Sequence, residues 1–194
     1  MKLLNKCIVL LALVSFSVNT NAQKIKTVSG DLSPLKDETS INIEFLYDGM
    51  SVGKFDNEKE YLDKKTAEYN QKEPGRGDLW AKSWISDRAS RFEPKFIELF
   101  VENSKMNVDK NAKYTLIFKT TSTEPGYNIY ISRKNASIDA EVDIVETANR
   151  SKKIASLTVS NAPGRQFGGY DYDTGTRIME AYAVSGKRLG KYIK

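Results

Sequence analysis

The chain has no histidine and a single cysteine, Cys7, among its 194 residues. Without imidazole, and with no thiol after residue 7, neither a Ser-His-Asp nor a Cys-His catalytic group can be assembled. A zinc site built on imidazole or thiolate is excluded for the same reason. No GxGxxG or GxxxxGK[ST] phosphate loop is present. Long hydrophobic runs are missing too: the longest, Ile8 to Val18, is broken by Ser15 and Ser17 and reaches about half of the roughly 20 residues a membrane-spanning helix needs. The chemistry left to this chain rests on carboxylate pairs, a lysine with a serine, or tyrosine. The metals left are hard, oxygen-preferring ions such as calcium or magnesium.

The short apolar run has a different meaning. Lys2 and Lys6 precede it and Thr20-Asn21-Ala22 follows it, the pattern of a secretory leader over residues 1–22 with cleavage after Ala22. Cys7 lies before the run, so it is not the cysteine of a lipoprotein cleavage site. The exported chain then begins at Gln23, contains no disulfide, and depends on its hydrophobic core. Removing Lys2 and Lys6 takes two from the formal net charge of +5. The remaining excess is too mild to point to nucleic acid. Location in the periplasm or the cell envelope is the expectation, with no membrane-spanning segment after the leader.

Residues 23–39 are polar, carry Gly30 and Pro34, and read as a lead-in to a single domain over 40–194. Ile41, Ile43, Phe45 and Tyr47 alternate with Asn42, Glu44, Leu46 and Asp48, as in a strand with one buried face. Asn57 with Glu60 three residues later opens a polar helix over EKEYLDKKTAEYNQK. Asp78 is expected to cap the next helix, which carries Trp80 and Trp84 one turn apart. The RGD triplet at Arg76 to Asp78 reads as turn plus cap. Pro94 is expected to begin a new or kinked helix that turns Phe96, Leu99 and Phe100 to the core. Strand patterns follow at KYTLIFKT, SIDAEVDIVE and KKIASLTV, with a short edge strand at Asn128 to Ser132. The last helix gathers Ile178, Ala181, Tyr182, Ser185, Leu189, Tyr192 and Ile193 on one face. Gly186 and Gly190 in that helix imply close approach to another element. The expected fold class is α+β: a largely antiparallel sheet of four or five strands with helices on one face, in the order strand, helices, strands, helix.

The leading candidate site is the connection Pro163 to Gly175, with four glycines, three aromatics and two aspartates. Its candidate residues for a ligand or partner are Phe167, Gly168, Gly169, Tyr170, Asp171, Tyr172 and Asp173. A structural reading stands beside this one: the aspartates favour a helix N-terminus and the aromatics cover the core edge. Asp171 and Asp173 repeat part of a calcium loop, but Gly175 and Tyr182 occupy its fifth and twelfth positions, so the EF-hand pattern fails. Asp139, Glu141 and Asp143 form an acidic stripe, for which pairing with Arg133 and Lys134, or with Lys152 and Lys153, is the bland explanation. No catalytic residue, metal site or cofactor is assigned.

KTTSTEPGYNIYISRKNASIDAEVDIVE and GGYDYDTGTRIMEAYAVSGKRLGKYIK, together with the leader ending in NAQ, resemble a family of uncharacterised exported proteins of Bacteroidetes. The closing GxRIxxAYxxxGKxLxKxI arrangement distantly resembles small envelope proteins of the transport-auxiliary type, whose compact α+β domains act through contacts. The resemblance implies a periplasmic or envelope protein without an assigned reaction, and transfers no catalytic residue. A non-enzymatic binding or assembly module follows, its partner another envelope protein or a glycan. The alternatives are a carboxylate-dependent hydrolase of envelope glycans around Asp171 and Asp173, and a calcium-stabilised surface protein.

Overall fold

The computed structural model describes residues 23–129, 132–164 and 173–194. The leader with Cys7 lies outside these residues, and so do the candidates Phe167, Gly168, Gly169, Tyr170, Asp171 and Tyr172. The strands are β1 (Lys24–Gly30), β2 (Ser40–Leu46), β3 (Ser51–Val52), β4 (Asn107–Val108), β5 (Tyr114–Glu124), β6 (Tyr127–Ile129), β7 (Ser132–Lys134), β8 (Ser137–Glu146) and β9 (Asn149–Pro163). The helices are α1 (Glu58–Lys72), α2 (Arg76–Asp87), α3 (Glu93–Ser104) and α4 (Gly175–Ile193). The α+β class holds, but the sheet is larger and mixed. Seven strands form it in the order β1-β9-β8-β5-β2-β4, with β3 also against β5.

The antiparallel expectation is met by β1, β9, β8 and β5 and corrected at β2, which pairs parallel to β5. Parallel pairing demands a crossover, and the helices α1 to α3 supply it, a long-range arrangement that strand periodicity does not encode. A second correction concerns residues 23–39: Lys24 to Gly30 pair antiparallel with β9, and Leu35 is fully buried. The strand was hidden because it lies at the sheet edge, where lysines are common, and because its register breaks between Thr27 and Ser29. The edge strand expected at Asn128 to Ser132 is instead a separate hairpin of β6 and β7.

Helix capping follows the sequence in one case and departs from it in another. Asn57 Oδ1 accepts the Glu60 amide at 3.0 Å while its Nδ2 donates to Glu60 Oε1 at 2.7 Å, a reciprocal capping box. At α2 the cap is Gly75 rather than Asp78, because the helix begins one turn earlier. There Asn70 Oδ1 of α1 accepts the Gly77 amide at 2.7 Å. The RGD triplet is therefore the first turn of a helix. As expected, Pro94 stands in the first turn of a helix, α3, which α2 reaches through a π-helical turn, Arg88–Phe92, in which the Glu93 amide donates to Arg88 O. The widened turn accommodates a residue that lacks an N–H donor and crowds the preceding turn.

Ile138, Ala140, Val142 and Ile144 of β8 are buried, while Ser137, Asp139, Glu141 and Asp143 face away from the core. Lys153 pairs with Asp143 at 2.9 Å, and Ser156 Oγ donates to the same carboxylate at 2.6 Å. Asp139 accepts the Asn161 amide at 2.6 Å. Lys152 pairs with Glu146 and Lys134 with Glu124, so of these three lysines Lys153 alone meets the stripe.

On the covered face, α3 and α4 pack against each other. A Cβ at Gly186 would lie 2.2 Å from Phe96 O, and one at Gly190 would lie 2.7 Å from Phe100 O. These glycines let two backbones touch, as their cost in helix propensity implied. Phe118 on β5 meets Phe96 at 4.8 Å and Tyr182 at 5.9 Å between ring centroids, joining sheet, α3 and α4 in one core.

Candidate functional site

Trp80, Trp84, Asp87 and Arg91 follow one another at spacings of four, three and four, so they share one side of the α2 helix and its π-helical continuation. The first two are buried in an aromatic cluster. Tyr61 of α1 lies 5.7 Å from Trp80 and 5.0 Å from Trp84, and Tyr69 lies 5.5 Å from Trp80. Trp84 Nε1 donates to Glu58 Oε1 at 2.6 Å, and Arg88 pairs with the same carboxylate. The Arg88 guanidinium also sits 4.2 Å above the Tyr47 ring. Tyr47 Oη donates to Glu93 Oε1 at 3.2 Å. Burial, and then the neighbouring Tyr182 and Glu93, push the Tyr47 hydroxyl pKa well up, so it stays a neutral donor.

Where this stripe meets the start of α4, a cleft of about 280 Å³ opens. Trp80, Trp84 and Ser83 form one side, Thr174 and Gly175 the other, and Asp87, Arg91 and Asp173 lie between. Arg91 joins the two sides: its Nε is 3.1 Å from Asp87 Oδ1 and its Nη1 is 2.9 Å from Asp173 Oδ1. Asp87 is 8 % exposed and tucks beneath α4, where a Cβ at Gly175 would fall 1.9 Å from Oδ2. The absence of a side chain at 175 is what admits the carboxylate.

The two carboxylates respond to this setting in opposite ways. Burial raises the Asp87 pKa above the usual carboxylate value, Arg91 pulls it down, and the charge of Asp173 adds to the rise. Burial acts upward on Asp173 as well, but the hydrogen bond and charge of Arg91 and two hydrogen bonds from Thr176 outweigh it, so its pKa is lowered. Thr176 Oγ1 donates to Asp173 Oδ2 at 3.2 Å, and the Thr176 amide donates to the same side chain. Asp173 thus serves the first turn of α4 as well as the cleft, since Thr174 at the N-cap makes no side-chain cap bond.

A second cavity of about 170 Å³ also reaches Thr174, lined by Phe55, Tyr61, Tyr69 and the Pro125-Gly126 turn. The buried Arg177 holds that turn, donating from Nε to Pro125 O at 3.2 Å and from Nη2 to Gly126 O at 3.4 Å.

Of the seven candidate residues, Asp173 falls within the described structure, at the mouth of the cleft. Asp87 and Arg91 escaped sequence reasoning. Their signal was available: the aromatic stripe of Trp80 and Trp84 continues into a carboxylate and a guanidinium on the same face. Among the described residues no group of three Asp or Glu side chains is arranged to hold a metal ion. Among them also, no helix is long and apolar enough to cross a membrane.

No protein-family profile matches the chain, and no curated protein matches it. Two solved structures align over most of its length. One is the PelC dodecamer from Paraburkholderia phytofirmans, at 10% identity and a TM-score of 0.36, covering 84% of this chain and 96% of that one. The other is a point variant of the same PelC, at 9% identity and a TM-score of 0.34, covering 86% and 99%. Likeness this low transfers neither residues nor a role.

Proposed function

We propose that this chain is an exported cell-envelope protein that works by binding, as a recognition or assembly module, and that the cleft at Asp87, Arg91 and Asp173 is its recognition site. The observation that carries the proposal is the cleft itself: a small concave site where a buried aromatic wall meets three convergent charged groups, the two carboxylates among them with pKa values moved in opposite directions. It lies where the glycine-rich connection 163–175 enters α4, and the leader sequence supports delivery to the envelope. The partner is another envelope protein or a glycan.

Capture from an envelope extract on the immobilised chain tests this reading. A partner retained by the wild type and lost by folded Asp87→Asn and Asp173→Asn variants supports it. Equal retention by both variants removes the cleft from function.

A second reading rests on the opposed pKa directions of Asp87 and Asp173, the feature that separates acid from base in carboxylate pairs. It is a hydrolase of envelope glycans. It ranks second because Arg91 ties down both carboxylates. Release of new reducing ends from peptidoglycan, abolished by either Asn substitution, would promote it; unchanged glycan in the presence of binding would remove it.

A further inference from the structure

Among the described residues, the charges lining the cleft do not balance. Asp87 and Asp173 share one guanidinium, and no second cation stands among the described lining residues. Neighbouring cations are engaged elsewhere: Arg88 with Glu58, and Arg177 with the Pro125-Gly126 turn. Because Asp87 is buried, the negative excess among the described residues attracts a cation there more strongly than on open surface. A hard dication is a poor candidate, because it requires six or more oxygen ligands and Arg91 already occupies the space between the carboxylates. A protonated amine fits better. Its N–H groups need a few directed acceptors, which the free carboxylate lone pairs and the Ser83 and Thr174 hydroxyls offer. The indoles of Trp80 and Trp84 supply an apolar wall for the rest of the ligand. At about 280 Å³, the cleft stands at the lower end of ligand cavities, with room for one ring-sized group rather than an oligomer.

We infer that the cleft takes a ring-sized ligand bearing a protonated primary amine, with Asp87 and Asp173 accepting from the ammonium group. This rests on the reading of the cleft as the recognition site, and narrows it to one ligand chemistry. An amino sugar and the lysine side chain of a protein both present that group, so the probes must separate them.

Isothermal titration calorimetry of the purified chain is run with glucosamine, N-acetylglucosamine and Nα-acetyl-lysine amide. The expected result is saturable glucosamine binding, with N-acetylglucosamine at least about tenfold weaker, the weight of one charge-assisted hydrogen bond. Asp173→Asn should weaken glucosamine by a similar factor, with circular dichroism verifying its fold. Trp80 and Trp84 are the chain's two tryptophans, so a fluorescence change that saturates with the heat places the ligand at the cleft. Binding of the lysine derivative alone retains the ammonium chemistry and assigns its source to a protein. Equal binding of both sugars, or no binding by either amine, overturns the inference. If the Asn variants still lose an envelope partner in that case, the recognition site stands and the amine assignment alone falls.

Discussion

Replacing Gly186 by alanine tests the closest backbone contact in the core. The new Cβ would sit 2.2 Å from Phe96 O, 2.9 Å from its carbonyl carbon and 3.0 Å from its Cα. Ordinary packing separates such atoms by about 3.5 Å, so α3 and α4 must part by roughly 1 Å. The obstructing atoms are backbone, which cannot swing aside as a side-chain end would, and Gly190 fixes the same two helices one turn further on. Alanine recovers about 1 kcal/mol of helix propensity, while overpacking a filled core costs about 1 to 3 kcal/mol, here toward the upper end. The net expectation is a loss of about 1 to 2 kcal/mol. For a chain of this size that lowers Tm by about 2 to 8 °C. Urea unfolding followed by tryptophan fluorescence gives the free energy, and an unchanged m-value shows that the two states compared are the same. A Gly186→Ala protein as stable as the wild type, or more so, would refute the argument that α3 and α4 meet backbone to backbone.

Three further expectations concern single groups. Asp173→Asn and Asp87→Asn should show opposite pH trends in urea unfolding. The lowered pKa of Asp173 adds stability above its unfolded value that fades as pH falls through the folded one, so its variant loses most near neutrality. The raised pKa of Asp87 adds stability below its unfolded value that fades as pH rises through the folded one, so its variant gains on the wild type toward neutral pH; parallel trends would contradict the assignment. Tyr182→Phe removes a 2.6 Å hydrogen bond to the fully buried Thr120 and should cost about 1 to 3 kcal/mol, whereas a neutral effect would mean that the Thr120 hydroxyl finds another partner. Asn57→Ala should cost about 1 kcal/mol by opening the α1 capping box; circular dichroism at matched temperature reads the loss, and no change would show that the cap is idle.

Much of the local structure was legible from the sequence because its causes are local. The reciprocal bonds of Asn57 and Glu60 span three residues, and the α1 limits follow from them and from the helix formers behind. The alternation Ile138, Ala140, Val142, Ile144 records a strand with one dry face whatever its neighbours are. Gly186 and Gly190 announce a close approach, although they do not say to what. The entry of the glycine-rich connection into α4 was legible as a place of interest, and Asp173 is where that connection meets the cleft.

The rest depended on tertiary contact. Whether β2 lies parallel or antiparallel to β5 is decided by a crossover of three helices, not by the residues of either strand. Lys24 to Gly30 becomes a strand because β9 offers it a free edge, and a bulged, lysine-bearing segment shows no period of its own. Pro94 marks the first turn of α3, but the proline does not reveal that α2 continues into α3 through a π-helical turn rather than a loop. The cleft arises in the same way. Sequence supplies an Asp87 and Arg91 pair one turn apart, an unremarkable surface arrangement until α4 arrives and Gly175 lets its backbone close over Asp87. Arg91 and Asp173, 82 positions apart, then pair, and burial of Asp87, set against the Arg91 and Thr176 hydrogen bonds on Asp173, moves the two carboxylate pKa values in opposite directions, which sequence spacing does not measure.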